Sequence, residues 1–204
     1  HLNDVLALEP SPEGEPALSG RLTLSAEWLS RLCTGQSTKP NFSSAFPAEH
    51  VTTPLDWDDL VLNESTLNQL NQLGMWWQRR FDRLKISGVS PHLKLGLRVS
   101  IYGPAGVGKT LSALLLGKQS GLDVYKVDLQ LIGAWDIACV QRGLDRIFKQ
   151  AANRRWMLLI VNANLLQSDS LTETQASNFA YLKKHITNFP GLVLLESRQS
   201  IANE

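Results

Sequence analysis

Two patterns of apolar residues alternate along the second half of the chain. Residues 156–161, Trp-Met-Leu-Leu-Ile-Val, form a continuous apolar run of strand length, and 192–195 repeat it. Residues 97–102 and 124–129 also read as strands. A run without polar alternation predicts a strand buried on both faces. Between these runs the apolar period lengthens. Residues 110–120 predict a helix stopped by Gly121, and Val140, Leu144, Ile147, Phe148 and Ala151 fall on one face of another. Upstream, Asn63 is placed to cap a helix whose Leu67, Leu70, Leu73, Trp77 and Phe81 lie on one side. Neighbouring helical residues diverge, so of the pair Trp76 and Trp77 only one turns fully inward, and the spacing selects Trp77. Strands alternating with helices predict an α/β fold, a parallel sheet sandwiched by helices.

The first 54 residues read differently. Pro10, Pro12, Gly14 and Pro16 deny a stable helix interior and predict a loose arm. Ser25 caps a short amphipathic helix bearing Trp28, Leu29 and Leu32, with Gly35 as its stop. Pro40, Pro47 and Pro54 then predict an extended connection, anchored by Phe42 and Phe46. The expected organisation is an N-terminal helical and extended extension over 1–54 and a core over 55–204.

Composition narrows the function classes. Lys+Arg 20 against Asp+Glu 19 gives a net charge of +1, so no bulk attraction toward nucleic acid or acidic lipid is expected. No apolar run approaches the roughly 20 residues of a membrane span, and the N-terminal region has no signal-peptide pattern, which points to the cytoplasm. Cys33 and Cys139 lack any CxxC spacing and are expected as free thiols, without a metal site.

The chemistry lies in residues 103–111. Gly103, Pro104, Ala105, Gly106, Val107, Gly108, Lys109 and Thr110 match the spacing Gly-x-x-x-x-Gly-Lys-Thr, and Leu111 follows. Such a loop turns backbone N–H groups toward phosphates, its lysine reaches the outer phosphates, and its threonine hydroxyl meets Mg²⁺. The motif follows a predicted strand and opens a predicted helix, which sets a helix N-terminus against the phosphates. ATP or ADP with Mg²⁺ is the expected ligand, and Thr110 the expected metal contact.

Hydrolysis needs more. An apolar strand in such proteins ends in carboxylates that order Mg²⁺ and activate water. Here the strand 156–161 runs into Asn162, Ala163 and Asn164, so the acids are absent. Asn162 keeps hydrogen-bonding capacity without charge, and Ala163 has neither. Asp128 at a strand end, and Asp169 and Glu173 farther on, are the candidate replacements, with solvated surface as their commoner fate.

These motifs, in this order, give the chain a resemblance to the AAA+ ATPases, and within them to bacterial proteins associated with phage-tail-like contractile injection systems. It runs from about residue 22 to the end and is carried by Phe46-Pro-Ala-Glu-His-Val-Thr-Thr-Pro-Leu-Asp-Trp-Asp-Asp-Leu-Val-Leu, by the phosphate loop and by Val124-Tyr-Lys-Val-Asp-Leu. Gly143-Leu-Asp-Arg-Ile-Phe and Phe189-Pro-Gly-Leu-Val-Leu-Leu add to it. The resemblance implies that Asp59, Leu60 and Val61 line the base pocket. It also sets Asn162 and Ala163 where the family has its acids, Ser197 where it has a sensor asparagine, and Trp135-Asp136-Ile137-Ala138 where it has an aromatic pore motif. For Trp135, packing or a subunit contact competes with the pore role. The family's helical lid and arginine finger, which lie beyond the position of Ser197, are not among the 204 residues. The implied function is an ATP- or ADP-binding module with impaired hydrolysis. It would act as a homo-oligomer, possible as a hexameric ring, or with partner proteins in assembling or regulating an injection apparatus. The alternative is an active ring-forming motor; a small-molecule kinase drawing on Asp128 is a third reading, without acceptor-pocket signals.

Overall fold

The computed structural model of the chain describes residues 6–8, 22–24, 29, 32–33, 35, 39–43, 46–87, 96–168 and 170–200. It divides into two units, His1–Pro40 and Asn41–Glu204. The boundary therefore falls ahead of the one expected after residue 54. Phe46 and Ala48 explain the difference, because both are buried in the core of the second unit.

The first unit contains a short antiparallel ribbon, β1 (Leu6–Leu8) and β2 (Leu22–Leu24), with Leu6 opposite Leu24 and Leu8 opposite Leu22. The expected loose arm is therefore paired at Leu6–Leu8, and its prolines lie outside the described residues. Ser25 and Trp28 of the expected short helix lie outside the described residues. Leu29 and Leu32 are exposed.

The second unit is built on a five-stranded sheet ordered β3-β5-β6-β7-β4, where β3 is Glu49–Val51, β4 Leu97–Tyr102, β5 Asp123–Asp128, β6 Trp156–Val161 and β7 Leu192–Ser197. β3 joins the edge antiparallel to β5, and the remaining pairs are parallel. Two helices, α1 (Glu64–Ser87) and α2 (Lys109–Ser120), serve one face. There Trp77, Ala113, Leu114 and Leu116 meet Val124, Met157, Leu159, Leu192 and Leu194. On the other face α3 (Leu129–Gly133), α4 (Ile137–Asn153) and α5 (Glu173–Asn188) cover Tyr125, Val127, Leu158, Ile160 and Val193. Successive residues of each strand feed opposite cores, which is why β6 had to be apolar throughout.

Local chemistry sets the element ends. Asn63 accepts from the Thr66 amide at 2.7 Å and starts α1, as its position predicts. Leu70 and Trp77 are buried and Trp76 is exposed, while the side chain of Phe81 lies outside the description. Gly121, with φ at 62°, ends α2 in a left-handed cap. The last carbonyls of α5 are taken by Arg98 of β4. Its guanidinium donates to the carbonyls of Ile186, Thr187 and Phe189 at 2.7 Å, and its partial burial lowers its pKa. The start of the strand that leads into the phosphate loop is thereby tied to the helix that precedes β7.

Candidate functional site

Because four strands run in one direction, the C-terminal ends of β4, β5, β6 and β7 share one rim of the sheet. The loop 103–108 leaves that rim and enters α2 directly. Gly106 and Gly108 take φ of 82° and 87°, left-handed values that side-chain-bearing residues rarely adopt. Gly108 is the N-cap of α2 and supplies no capping side chain, so the first amides of the helix are left for another acceptor. Lys109 is buried to 9 % exposure and its Nζ donates to the carbonyls of Gly103 at 3.0 Å and Pro104 at 2.7 Å. The ammonium thus closes the loop on itself. Ala105, Gly106 and Val107 form its exposed crown, and Leu111 is half-buried behind it.

The strand end that was expected to lack acids has become structural. Asn162 sits in the left-handed region at φ 58°, a conformation asparagine tolerates better than most residues. Its amide donates to Asp128 Oδ1 at 2.8 Å, and the same oxygen accepts from the Gln130 amide at 2.9 Å, capping α3. Asp128 is committed to two donors in this way. Ala163, fully buried, opens a 3-10 turn over Ala163–Gln167. Glu173 is exposed in the first turn of α5, and Asp169 lies outside the described residues.

An acid does reach the loop, from Glu196, at the end of an expected strand, a residue that the sequence pattern did not single out. Thr110 Oγ1 donates to Glu196 Oε2 at 2.7 Å across 86 residues of chain. Glu196 is on β7, paired in register with Ile101 of β4, one residue from the rim. A pocket of about 190 Å³ joins Ala105, Gly106, Lys109, Asn162, Asn164, Glu196, Ser197 and Arg198. Two cations, one carboxylate and two amides therefore face one small volume beside the loop. Ser197 is itself buried, with its hydroxyl donated to the Gln199 carbonyl, so it contributes to the wall through its backbone neighbourhood more than as a free donor.

A larger cleft of about 680 Å³ lies on the α1 side of the loop, lined by Val61, Leu70, Leu73, Val99, Ile101 and Val107, with Lys109 in common. Its size suits a small-molecule ligand, and its lining is mostly apolar. The three residues expected at a base pocket separate here. Val61 lines the cleft and is 95 % exposed. Leu60 packs on the loop: a Cβ on Gly108 would fall 2.5 Å from Leu60 Cδ1. Asp59 turns away, its carboxylate accepting from the Asp56 amide at 2.8 Å. Lys118 fixes this turn to the end of α2 through Asp56 at 2.7 Å.

Trp135 is half-buried against the core, 5.9 Å from the Phe42 ring, and its carbonyl accepts from buried Asn178 at 3.1 Å. Those contacts are packing contacts. The donor chemistry at Thr110 fits Mg²⁺: the hydroxyl offers an oxygen, and the Glu196 carboxylate that accepts its proton stands behind it. Among the described residues no group of three His, Cys, Asp or Glu side chains converges on a metal position, and no helix is long and apolar enough to cross a membrane. No protein-family model matches the chain, and no curated protein matches it in sequence.

Proposed function

We propose that this chain is a P-loop nucleotide-binding module of the AAA+ type that holds ATP or ADP with Mg²⁺ and works through association with itself or with other proteins. The observation that carries the reading is the loop 103–110, with Gly106 and Gly108 left-handed and Lys109 buried beneath it at the start of α2. The phosphates belong in the 190 Å³ pocket, and the base in the apolar cleft beside it. Bound Mg²⁺ supplies charge neutralisation between phosphate oxygens, with Thr110 as its contact in the protein.

Hydrolysis is slow or absent in this reading. Ala163 is fully buried and offers no base, and Asn162 is engaged with Asp128. Loss of a general base commonly costs on the order of 10²–10⁴ in rate. The sheet order supports the AAA+ assignment, because β7, the strand of the family's sensor residue, lies between the loop strand β4 and the acid-bearing strand position β6. A role in assembling or regulating a contractile injection apparatus follows from the sequence resemblance alone. Titration calorimetry with Mg·ATP and Mg·ADP tests the reading. Binding is expected at or below millimolar ligand and is expected to vanish in Lys109→Ala; no heat from the native chain at that concentration would remove the proposal.

A second reading, a working ring-forming motor, is favoured by one observation, the carboxylate of Glu196 at the loop. Phosphate release by the assembled oligomer, lost in Lys109→Ala, would select it.

A further inference from the structure

We infer that Glu196 is a relocated acid, a positioning residue that holds the Thr110 hydroxyl for the cation and makes nucleotide binding depend on Mg²⁺. The inference rests on the nucleotide-binding reading above and deepens it, because the family pattern places its acids at the end of β6 and this chain has none there.

The argument begins with the hydroxyl. A threonine hydroxyl has one proton to donate and two lone pairs to offer. At 2.7 Å the proton is committed to Glu196 Oε2, a residue that lines the small pocket, so the lone pairs of the hydroxyl remain to be offered to a cation. A carboxylate behind a ligand oxygen fixes its orientation and raises its basicity, the usual service of an outer partner at a metal site. Glu196 is placed for this by β7, which is hydrogen-bonded to β4 along its whole length, with Ile101 opposite Glu196 and Tyr102 opposite Ser197. The strand end of β6 is one strand farther from the loop. An acid on β7 is therefore nearer to Thr110 than an equivalent position on β6.

Charge gives the inference a signature that a packing role lacks. The pocket holds Lys109 and Arg198 beside Glu196. Without a divalent cation, a carboxylate beside the phosphates repels them; with the cation between, it attracts the complex. Removing the charge is expected to strengthen Mg²⁺-free binding and weaken Mg²⁺-dependent binding.

The test measures ATP and ADP affinity by calorimetry in excess EDTA and in excess Mg²⁺, for the native chain, Glu196→Gln and Glu196→Ala, with circular dichroism and a thermal melt to confirm folding. Glutamine keeps the shape and an acceptor oxygen, so it separates charge from packing. The ratio of the dissociation constant in EDTA to that in Mg²⁺ is expected to fall by about 10–100-fold in both Glu196→Ala and Glu196→Gln, since both remove the charge, in line with outer-partner losses at metal sites. Thr110→Ala is expected to lower the ratio similarly, with little further loss in the double variant. A ratio unchanged in both Glu196 variants, with native-like nucleotide binding, overturns the inference and leaves the nucleotide reading standing. Absence of nucleotide binding by the native chain in both conditions overturns the two together.

Discussion

At the level of single residues, the site turns on Gly108. It adopts φ 87°, and Leu60 lies where a Cβ would go. Gly108→Ala is therefore expected to lose at least about 1–2 kcal/mol from the left-handed backbone alone, with more from displacing Leu60. Gly106 provides the comparison, because its φ of 82° has open space around it. Gly106→Ala should lose the backbone contribution only, and the difference between the two variants in urea unfolding measures the Leu60 contact. Equal losses would show that Leu60 yields freely. The same scale shows why Glu196 escaped the sequence reading. Its partner Thr110 is 86 residues away, and nothing local to Leu-Leu-Glu-Ser marks that carboxylate as facing a phosphate loop. The loop itself could be read directly, since its function depends on backbone and spacing that one short segment encodes.

Among the elements, the link between α5 and β4 is the most consequential. Arg98 satisfies three carbonyls at the end of α5 and a fourth at Gly96. Arg98→Met keeps much of the apolar stem and leaves those acceptors without their charged partner. A loss of about 1–3 kcal/mol is expected, read as a lower urea midpoint with an unchanged slope. A midpoint within error of the native one would mean that water replaces the guanidinium at no cost. The long apolar elements were readable from sequence because burial on both faces leaves no polar alternation; β6 is the clearest instance. β3 was not, because Glu-His-Val among threonines and prolines has neither length nor alternation. α5 carried signals that were passed over: Thr172 and Gln175 form a capping box, and Phe179, Leu182 and Ile186 repeat at helical spacing. Its many polar residues diluted that stripe. Pro10, Pro12 and Pro16 lie outside the described residues, and pairing of Leu6–Leu8 with Leu22–Leu24 depends on a partner 16 residues away in register.

For the molecule as a whole, strand order determines which side chains can cooperate, and order is what a linear pattern conveys least. A parallel α/β sheet could be expected from alternation alone, yet nothing in the alternation says that β7 lies between β4 and β6. If the site holds Mg·ATP as proposed, ligand at 100 times its dissociation constant should stabilise the fold by about 2.7 kcal/mol. That corresponds to a rise of roughly 5–10 °C in the unfolding midpoint for a protein of this size. Differential scanning fluorimetry with and without Mg·ATP checks it, and the rise should be missing from Lys109→Ala.

The burial of Ala163 also limits what can be engineered at that position. A glutamate restored at that position would need volume that Ala163, with no exposed surface, shares with the core around Leu166 and Leu158, and it would bring an unpaired charge into that core. Ala163→Glu is therefore expected to act as a folding defect before it acts on chemistry. An acid beside the loop is accommodated more readily on the next strand, where Glu196 already reaches Thr110 without entering that core.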